Sequence, residues 1–397
     1  MRARELESVS TSHGHIFQLF RSGQVRTRGE LREFTGLSRS TVLQRVDALI
    51  AAGYLREQGQ TPSTGGRPSV VLIPNDEGKT ILTAAMGATH GRLAVTDGAG
   101  RFLAETVLES RIDTGPEEVL TRIFATFKRL LKQAGRLQSG VIGIGLGLPG
   151  PVNVEAGILV QPPIMPGWNN YPIRQFTARR FKAPLFVEND ANLMALGEFR
   201  VHYPDAASLL FVKVATGIGA GLIFDGQIYN GVDGGAGDIG HVRISEAAGL
   251  RCDCGNDGCL AAIAGGKAIS RMLSERGIPA ASSRDVMQLV QNGNSEAVAL
   301  TRAAGRLLGQ VLATAVSLLN PQVLVLGGDM GATHEHFLLG LRESMYQRTQ
   351  PLATRSLTIA TSQLGDRAGV VGASTLVRSL VYAPEAVDSV ITSALAS

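Results

Sequence analysis

Three apolar segments that each break off into a glycine-rich turn decide what kind of fold this chain can adopt. They are Gly143-Ile144-Gly145-Leu146-Gly147-Leu148-Pro149-Gly150, Phe211-Val212-Lys213-Val214-Ala215-Thr216-Gly217-Ile218-Gly219-Ala220-Gly221 and Val323-Leu324-Val325-Leu326-Gly327-Gly328. Around them, Leu82 to Met86 and Gly91 to Val95 read as a hairpin, Val119 to Leu131 as a helix and Gly140 to Leu148 as a strand. Strands that alternate with helices require α/β layers. The chain carries 48 glycines, so many tight turns or close approaches of backbone to a ligand are expected. Backbone N–H groups in such turns hold phosphate or a nucleotide, although glycine also ends strands for purely steric reasons. No G-x-G-x-x-G run clearly opens a helix, which disfavours a dinucleotide site.

Before Thr80 the pattern is different. Ile16, Phe17, Leu19 and Phe20 mark a short amphipathic helix ending near Gly23. Thr27-Arg28-Gly29-Glu30 fits a capping box, with Glu30 reaching back. The helix it starts runs to about Phe34, Thr35-Gly36-Leu37 turns the chain, and Ser38 caps a third helix that stops at Gly53. Val42, Val46, Leu49 and Ile50 form the buried stripe of that helix. Arg39, Ser40, Thr41, Gln44 and Arg45 are left on its open face. There they either meet base edges and phosphates in a major groove or simply face solvent. Tyr54–Glu57 and Ser69–Ile73 read as two strands of a wing. The Gly65-Gly66-Arg67-Pro68 tip between them aims Arg67 at an A·T-rich minor groove, or else is a flexible linker.

A length of 397 residues predicts two to three units. Up to residue 80 there are 11 Lys and Arg against 8 Asp and Glu, so most of the net charge of +4 sits in the first fifth. No apolar run reaches the roughly 18 residues of a membrane span, and no secretory apolar segment follows Met1-Arg2-Ala3-Arg4-Glu5. The protein reads as cytoplasmic.

All three cysteines fall in Cys252-Asp253-Cys254-Gly255-Asn256-Asp257-Gly258-Cys259, with His241 just upstream. An odd number argues against a disulfide framework. Three thiolates and an imidazole complete a tetrahedral, structural Zn2+ site, one per chain, with no position left open for hydrolysis. The competing reading is reactive or merely buried thiols.

Taken together these segments resemble the ROK family of sugar kinases and transcriptional repressors, over about residues 12 to 380. The resemblance rests on the Gly65-Gly66-Arg67-Pro68 head, Gly145-Leu146-Gly147-Leu148-Pro149-Gly150-Pro151, Glu188-Asn189-Asp190-Ala191-Asn192, Thr216-Gly217-Ile218-Gly219, Gly237-Asp238-Ile239-Gly240-His241 and the cysteine cluster. It implies an α/β fold: a winged helix-turn-helix on a two-lobed, actin-like (ribonuclease H-like) sugar kinase body. The expected divisions are a head over 1–80, a first lobe over 81–200 with a helix over 366–382 packing back on it, a second lobe with the zinc loop over 201–365, and a tail over 383–397. Only the repressor branch carries the head. By resemblance Asp190 matches the kinase general base, here vestigial, and Asn189 a hydroxyl contact. Asp238 and His241 stand in the sugar-contacting motif, and Thr216, Gly217 and Gly219 in a vestigial second phosphate loop.

Four positions depart from that pattern. The family's D-x-G-x-T is Ala85-Met86-Gly87-Ala88-Thr89, which removes the acid that manages metal and phosphate. The motif Glu is the shorter Asp238, the Glu after Gly-Cys-Leu is Ala261, and Ile164 stands where an Asn is frequent before Trp168. The expectation is a degenerate kinase body without catalytic residues, serving a repressor of carbohydrate-related genes. That repressor would be a homodimer or homotetramer on a near-palindromic, A·T-rich operator in double-stranded DNA, controlled by a small sugar-like effector and engaging no membrane. The alternatives are an ATP-dependent sugar or amino-sugar kinase, and a repressor controlled by a protein partner.

Overall fold

The computed structural model describes residues 11–60, 69–333 and 335–396, so the Gly65–Pro68 tip and Arg67 lie outside the described residues. The chain divides into two compact units. One comprises residues 1–80, 97–101 and 377–397, and the other residues 81–96 and 102–376.

In the first unit, α1 (His13–Arg21) buries Ile16, Phe17 and Phe20. Helix α2 (Arg28–Thr35) starts at Thr27, whose hydroxyl accepts from the Glu30 amide at 3.1 Å. The Glu30 carboxylate accepts from the Arg26 amide at 2.7 Å, one residue ahead of the position a capping box prescribes. Gly36 ends α2 with φ of +70°. Helix α3 (Arg39–Ala51) is capped by Ser38 and buries Val42, Val46 and Leu49, with Ile50 half-buried. Strands β1 (Leu55–Gln60) and β2 (Val70–Pro74) pair antiparallel, Leu55 opposite Pro74, and form the wing.

The last residues are not a tail. Pro384–Ala396 is a helix, and it packs against α1. Proline at its first position lacks the N–H that would otherwise go unpaired there, and Val387 and Ile391, one turn apart, are both buried. Small side chains hid an apolar face only two residues long. Phe17, Tyr54 and Tyr382 form an aromatic cluster beside it, with centroids 5.2 to 6.5 Å apart.

The second unit holds two five-stranded sheets built to one plan. The first contains β3 (Thr80–Met86), β4 (His90–Asp97), β5 (Phe102–Glu109), β6 (Val141–Leu148) and β9 (Leu185–Asn189), in the order β5-β4-β3-β6-β9; β7 (Val152–Asn153) and β8 (Ile158–Leu159) form a small ribbon beside it. The second contains β10 (Ser208–Val214), β11 (Ile218–Phe224), β12 (Gln227–Ile228), β13 (Val323–Gly327) and β14 (Thr358–Thr361), in the order β12-β11-β10-β13-β14. Each is three consecutive strands followed by two added on the other side, and β6–β9, β10–β13 and β13–β14 pair in parallel.

Parallel strands covered on both faces must be apolar nearly throughout. β13 is buried at every position and β6 at seven of eight. Helix α4 (Pro116–Gln133) covers the first sheet with Val119, Leu120, Ile123, Phe124, Phe127, Leu130 and Leu131, the i, i+4, i+7, i+8 spacing of a core-facing stripe. The short α5 (Ile173–Ala178) precedes β9, and α6 (Asp190–His202) links the two sheets. The second sheet is covered by α7 (Ala261–Ala264), α8 (Gly266–Glu275), α9 (Ser283–Gln291), α10 (Ser295–Leu319), α11 (Glu335–Tyr346) and α12 (Pro351–Thr354). Helix α13 (Ala368–Val381) crosses α6 at glycines: a Cβ on Gly372 would lie deep inside van der Waals contact of the Leu193 carbonyl, and one on Gly197 inside that of Ala368.

Candidate ligand cleft, metal centre and nucleic-acid face

A cleft of about 900 Å³ opens in the second unit. Its lining includes Ala85 to Thr89 from the β3–β4 hairpin, Asn189 and Asp190 from the start of α6, Thr216, Gly217 and Gly219 from the β10–β11 turn, and Asp238, His241 and Ala261. Fold and sequence motif thus bring Ala85 and Ala261, 176 positions apart in the chain, to one cleft. Ile164 also lines the cleft while packing partly against the first core.

Position 85 lies at the end of β3 against the start of α13, where a Cβ on Gly369 would lie 2.5 Å from the Ala85 Cβ. The hairpin is tied by backbone hydrogen bonds: the Gly87 amide donates to His90 O at 2.7 Å, and the carbonyls of Ala88 and Thr89 accept from the amides of Ile112 and Ser110 beyond β5.

Asn189 is the N-cap of α6. Its Oδ1 accepts from the amides of Ala191 (2.8 Å) and Asn192 (3.3 Å), and its Nδ2 donates to Gly150 O at 2.9 Å. Its side chain therefore sets the direction of α6. Glu188 behind it is buried and accepts from the Asn189 amide, Asn192 and Asn230; burial pushes its carboxyl above the usual range against the pull of these donors.

Asp190 is 6% exposed and is ion-paired to Lys213. This lysine was missed as a site residue. The signal was present, because a single ammonium interrupts the otherwise apolar run Leu209-Leu210-Phe211-Val212-Lys213-Val214 of a buried central strand. A lysine there needs an acid beside it. An ammonium on the Asp190 carboxylate competes with any substrate hydroxyl for the same acceptor.

Asp238 is exposed, and its carboxylate lies 3.9 Å from His241 Nε2. His241 Nδ1 faces the other way, 3.6 Å from Cys252 Sγ, and Cys254 Sγ lies 3.7 Å from Cys259 Sγ. The four ligand atoms lie within 4.8 Å of one another. A tetrahedral centre with bonds of about 2.3 Å to sulfur sets ligands about 3.8 Å apart, so the cluster is of a size to hold a metal. Gly255 and Gly258, at φ of +93° and +83°, make the reversals that bring the three sulfurs to one point. Without a cation, burial and the adjoining thiols push the Cys259 thiol up to about 12.

In the first unit, Arg39, Ser40 and Gln44 are exposed on α3 and Thr41 is half-buried. The Ser38 hydroxyl lies 2.9 Å from those of both Ser40 and Thr41, so the start of the helix is a hydroxyl cluster. Arg45 is placed differently from its four neighbours: its Nη1 donates to His13 Nδ1 on α1 at 2.9 Å. Leu43, half exposed on the open side, went unread because an apolar residue there breaks the polar pattern.

The duplicated sheets around a cleft, joined in one chain to a three-helix winged head, define a two-lobed, sugar-kinase-like protein with a helix-turn-helix. Comparison with known proteins agrees. The chain belongs to the ROK family, whose profile matches residues 82–379. It is similar to a xylose repressor of Caldicellulosiruptor bescii, with 28% identity over 92% of this chain and 94% of that one. A glucokinase of Halalkalibacterium halodurans is 27% identical over 93% of its own length but only 74% of this chain. A solved ROK family transcriptional regulator, described as a homolog of the Escherichia coli MLC protein, superposes with a TM-score of 0.78 at 24% identity, covering 96% of this chain and 98% of that one. Among the described residues no helix is long and apolar enough to cross a membrane.

Proposed function

We propose that this protein is a DNA-binding transcriptional repressor of carbohydrate-related genes, whose kinase-like cleft takes a small sugar-like ligand without phosphorylating it. The observation that carries the reading is the state of the cleft: Ala85 stands in the first phosphate loop, and Asp190 is held by Lys213. Phosphoryl transfer depends on positioned metal, charge neutralisation and an available proton acceptor, and two of these are compromised. The repressors among its relatives match nearly the full chain, which favours the same assignment.

Arg39, Ser40, Thr41 and Gln44 are the contacts to base edges and phosphates, with Arg67 for the minor groove. Leu43 adds an apolar surface suited to a thymine methyl. Two heads in a dimer or tetramer would read a near-palindromic, A·T-rich operator. Ligand acts only through unequal affinity for two arrangements of the protein. A structural Zn2+ on His241, Cys252, Cys254 and Cys259 would brace the wall that carries Asp238, whose carboxylate faces the outer nitrogen of the imidazole.

The test is selection of duplexes from a random pool by the full-length protein, followed by fluorescence anisotropy with the enriched sequence. A two-fold related, A·T-rich sequence is expected. A pool with no enriched sequence would remove the repressor reading. ATP-dependent turnover of glucose, xylose or N-acetylglucosamine, abolished by Asp190→Asn, would replace it with the kinase reading. Calorimetry silent toward every sugar would move control to a protein partner.

A further inference from the structure

Arg45 lies on the helix assigned above to DNA, yet its guanidinium turns to α1. The hydrogen bond to His13 Nδ1 is one link in a chain. Asp388 of the C-terminal helix brings Oδ1 to 3.8 Å from the same nitrogen, an electrostatic approach and not a hydrogen bond, and accepts from the Gly14 amide at 2.9 Å. The His13 and Asp388 side chains are 14% and 32% exposed, so the chain is largely shielded from water. The backbone around it leaves little slack. A Cβ on Gly14 would overlap the backbone of Pro384, and Gln18 donates to the Tyr382 carbonyl. The C-terminal helix is therefore seated on α1 at the point where α1 supports α3.

We propose that the C-terminal helix is a working part of the DNA-reading head, with Asp388 and His13 as positioning residues that fix Arg45 on the recognition helix. The inference rests on the DNA-binding reading. Arginine only donates, so the ring nitrogen that faces it, Nδ1 at 2.9 Å or Nε2 at 3.3 Å, must accept and His13 must be neutral. Burial first, and then Arg45, hold its imidazole below the ordinary histidine range, while Asp388 pulls the other way. Arg45 and Asp388 are the charged groups facing it from α3 and the C-terminal helix. Protonation sets two cations against each other and releases Arg45. Because the folded group takes up its proton at lower pH than the unfolded one, the stabilisation is present above about pH 6.5 and is lost as pH falls.

The test uses the full chain and the selected duplex. His13→Leu removes the acceptor and is expected to weaken binding about threefold to tenfold at pH 8, the scale of one hydrogen bond. His13→Asn retains an acceptor and should keep most of the affinity. Wild-type binding should weaken further below pH 6.5 than that of His13→Asn. Unchanged affinity in His13→Leu, or a pH profile identical to that of His13→Asn, overturns the proposal. If no duplex binds, the DNA reading fails by itself, and hydrogen exchange still decides the contact. Asp388→Ala should speed amide exchange at the start of α1, and unchanged exchange there overturns it.

Discussion

Lys213→Met is the most direct probe of the cleft. It keeps the stem of the side chain and deletes the ammonium, leaving the Asp190 carboxylate, 6% exposed, without its ion partner. Breaking a buried pair from one side costs about 3–5 kcal/mol. The Lys213 side chain retains 18% of its exposure, which argues for the lower end. At about 2 °C per kcal/mol for a large domain, the melting temperature should fall by roughly 6 °C or more. Asp190→Asn leaves an ammonium on a flexible stem that can turn toward water in the cleft, and should cost about half as much. The double variant should lose clearly less than the sum of the two, with a coupling of about 2 kcal/mol in a double-mutant cycle read by denaturant titration. Simple additivity, or a loss under about 1 kcal/mol in Lys213→Met, would show that the pair does not hold the cleft floor.

Ala85→Asp alone should leave ATP-dependent phosphorylation of glucose, xylose and N-acetylglucosamine at background in a coupled ADP assay, because Asp190 remains engaged by Lys213; robust turnover would refute the second block. Elemental analysis of gently purified protein should give one zinc per chain. Cys259→Ser should lose it with a marked fall in melting temperature, since metal binding adds to folding free energy. Gly372→Ala should cost about 1–3 kcal/mol by forcing α6 and α13 apart, measured by denaturant midpoint; a neutral outcome would mean that the crossing is loose. Arg39→Ala should weaken DNA binding across sequences and reduce the salt slope by about one, whereas a change confined to one base position would make Arg39 a base reader.

Much of this was legible in the chain. The caps at Thr27 and Ser38 announce α2 and α3 because a hydroxyl ahead of a helical period has one common use. The cysteine spacing marked a cluster of a size to hold a metal, because few other arrangements suit three thiols within eight residues. Other features were out of reach. The shared strand order of the two sheets leaves no trace in spacing, since their connections differ in length and number of helices. Asn189 reads by motif as a ligand contact and by residue type as a turn or helix cap; it lines the cleft and caps α6, and only its partners reveal that it does both. Arg45 belongs by periodicity to the open face, yet long side chains reach across a helix surface to neighbours that no local pattern encodes.

His241 and Asp238 sit three residues apart on one short turn, so the imidazole that faces the sulfurs also fixes one wall of the cleft. On the proposed reading, chelators or thiol oxidants that reach the cysteine loop would therefore loosen the ligand cleft and the surrounding fold together.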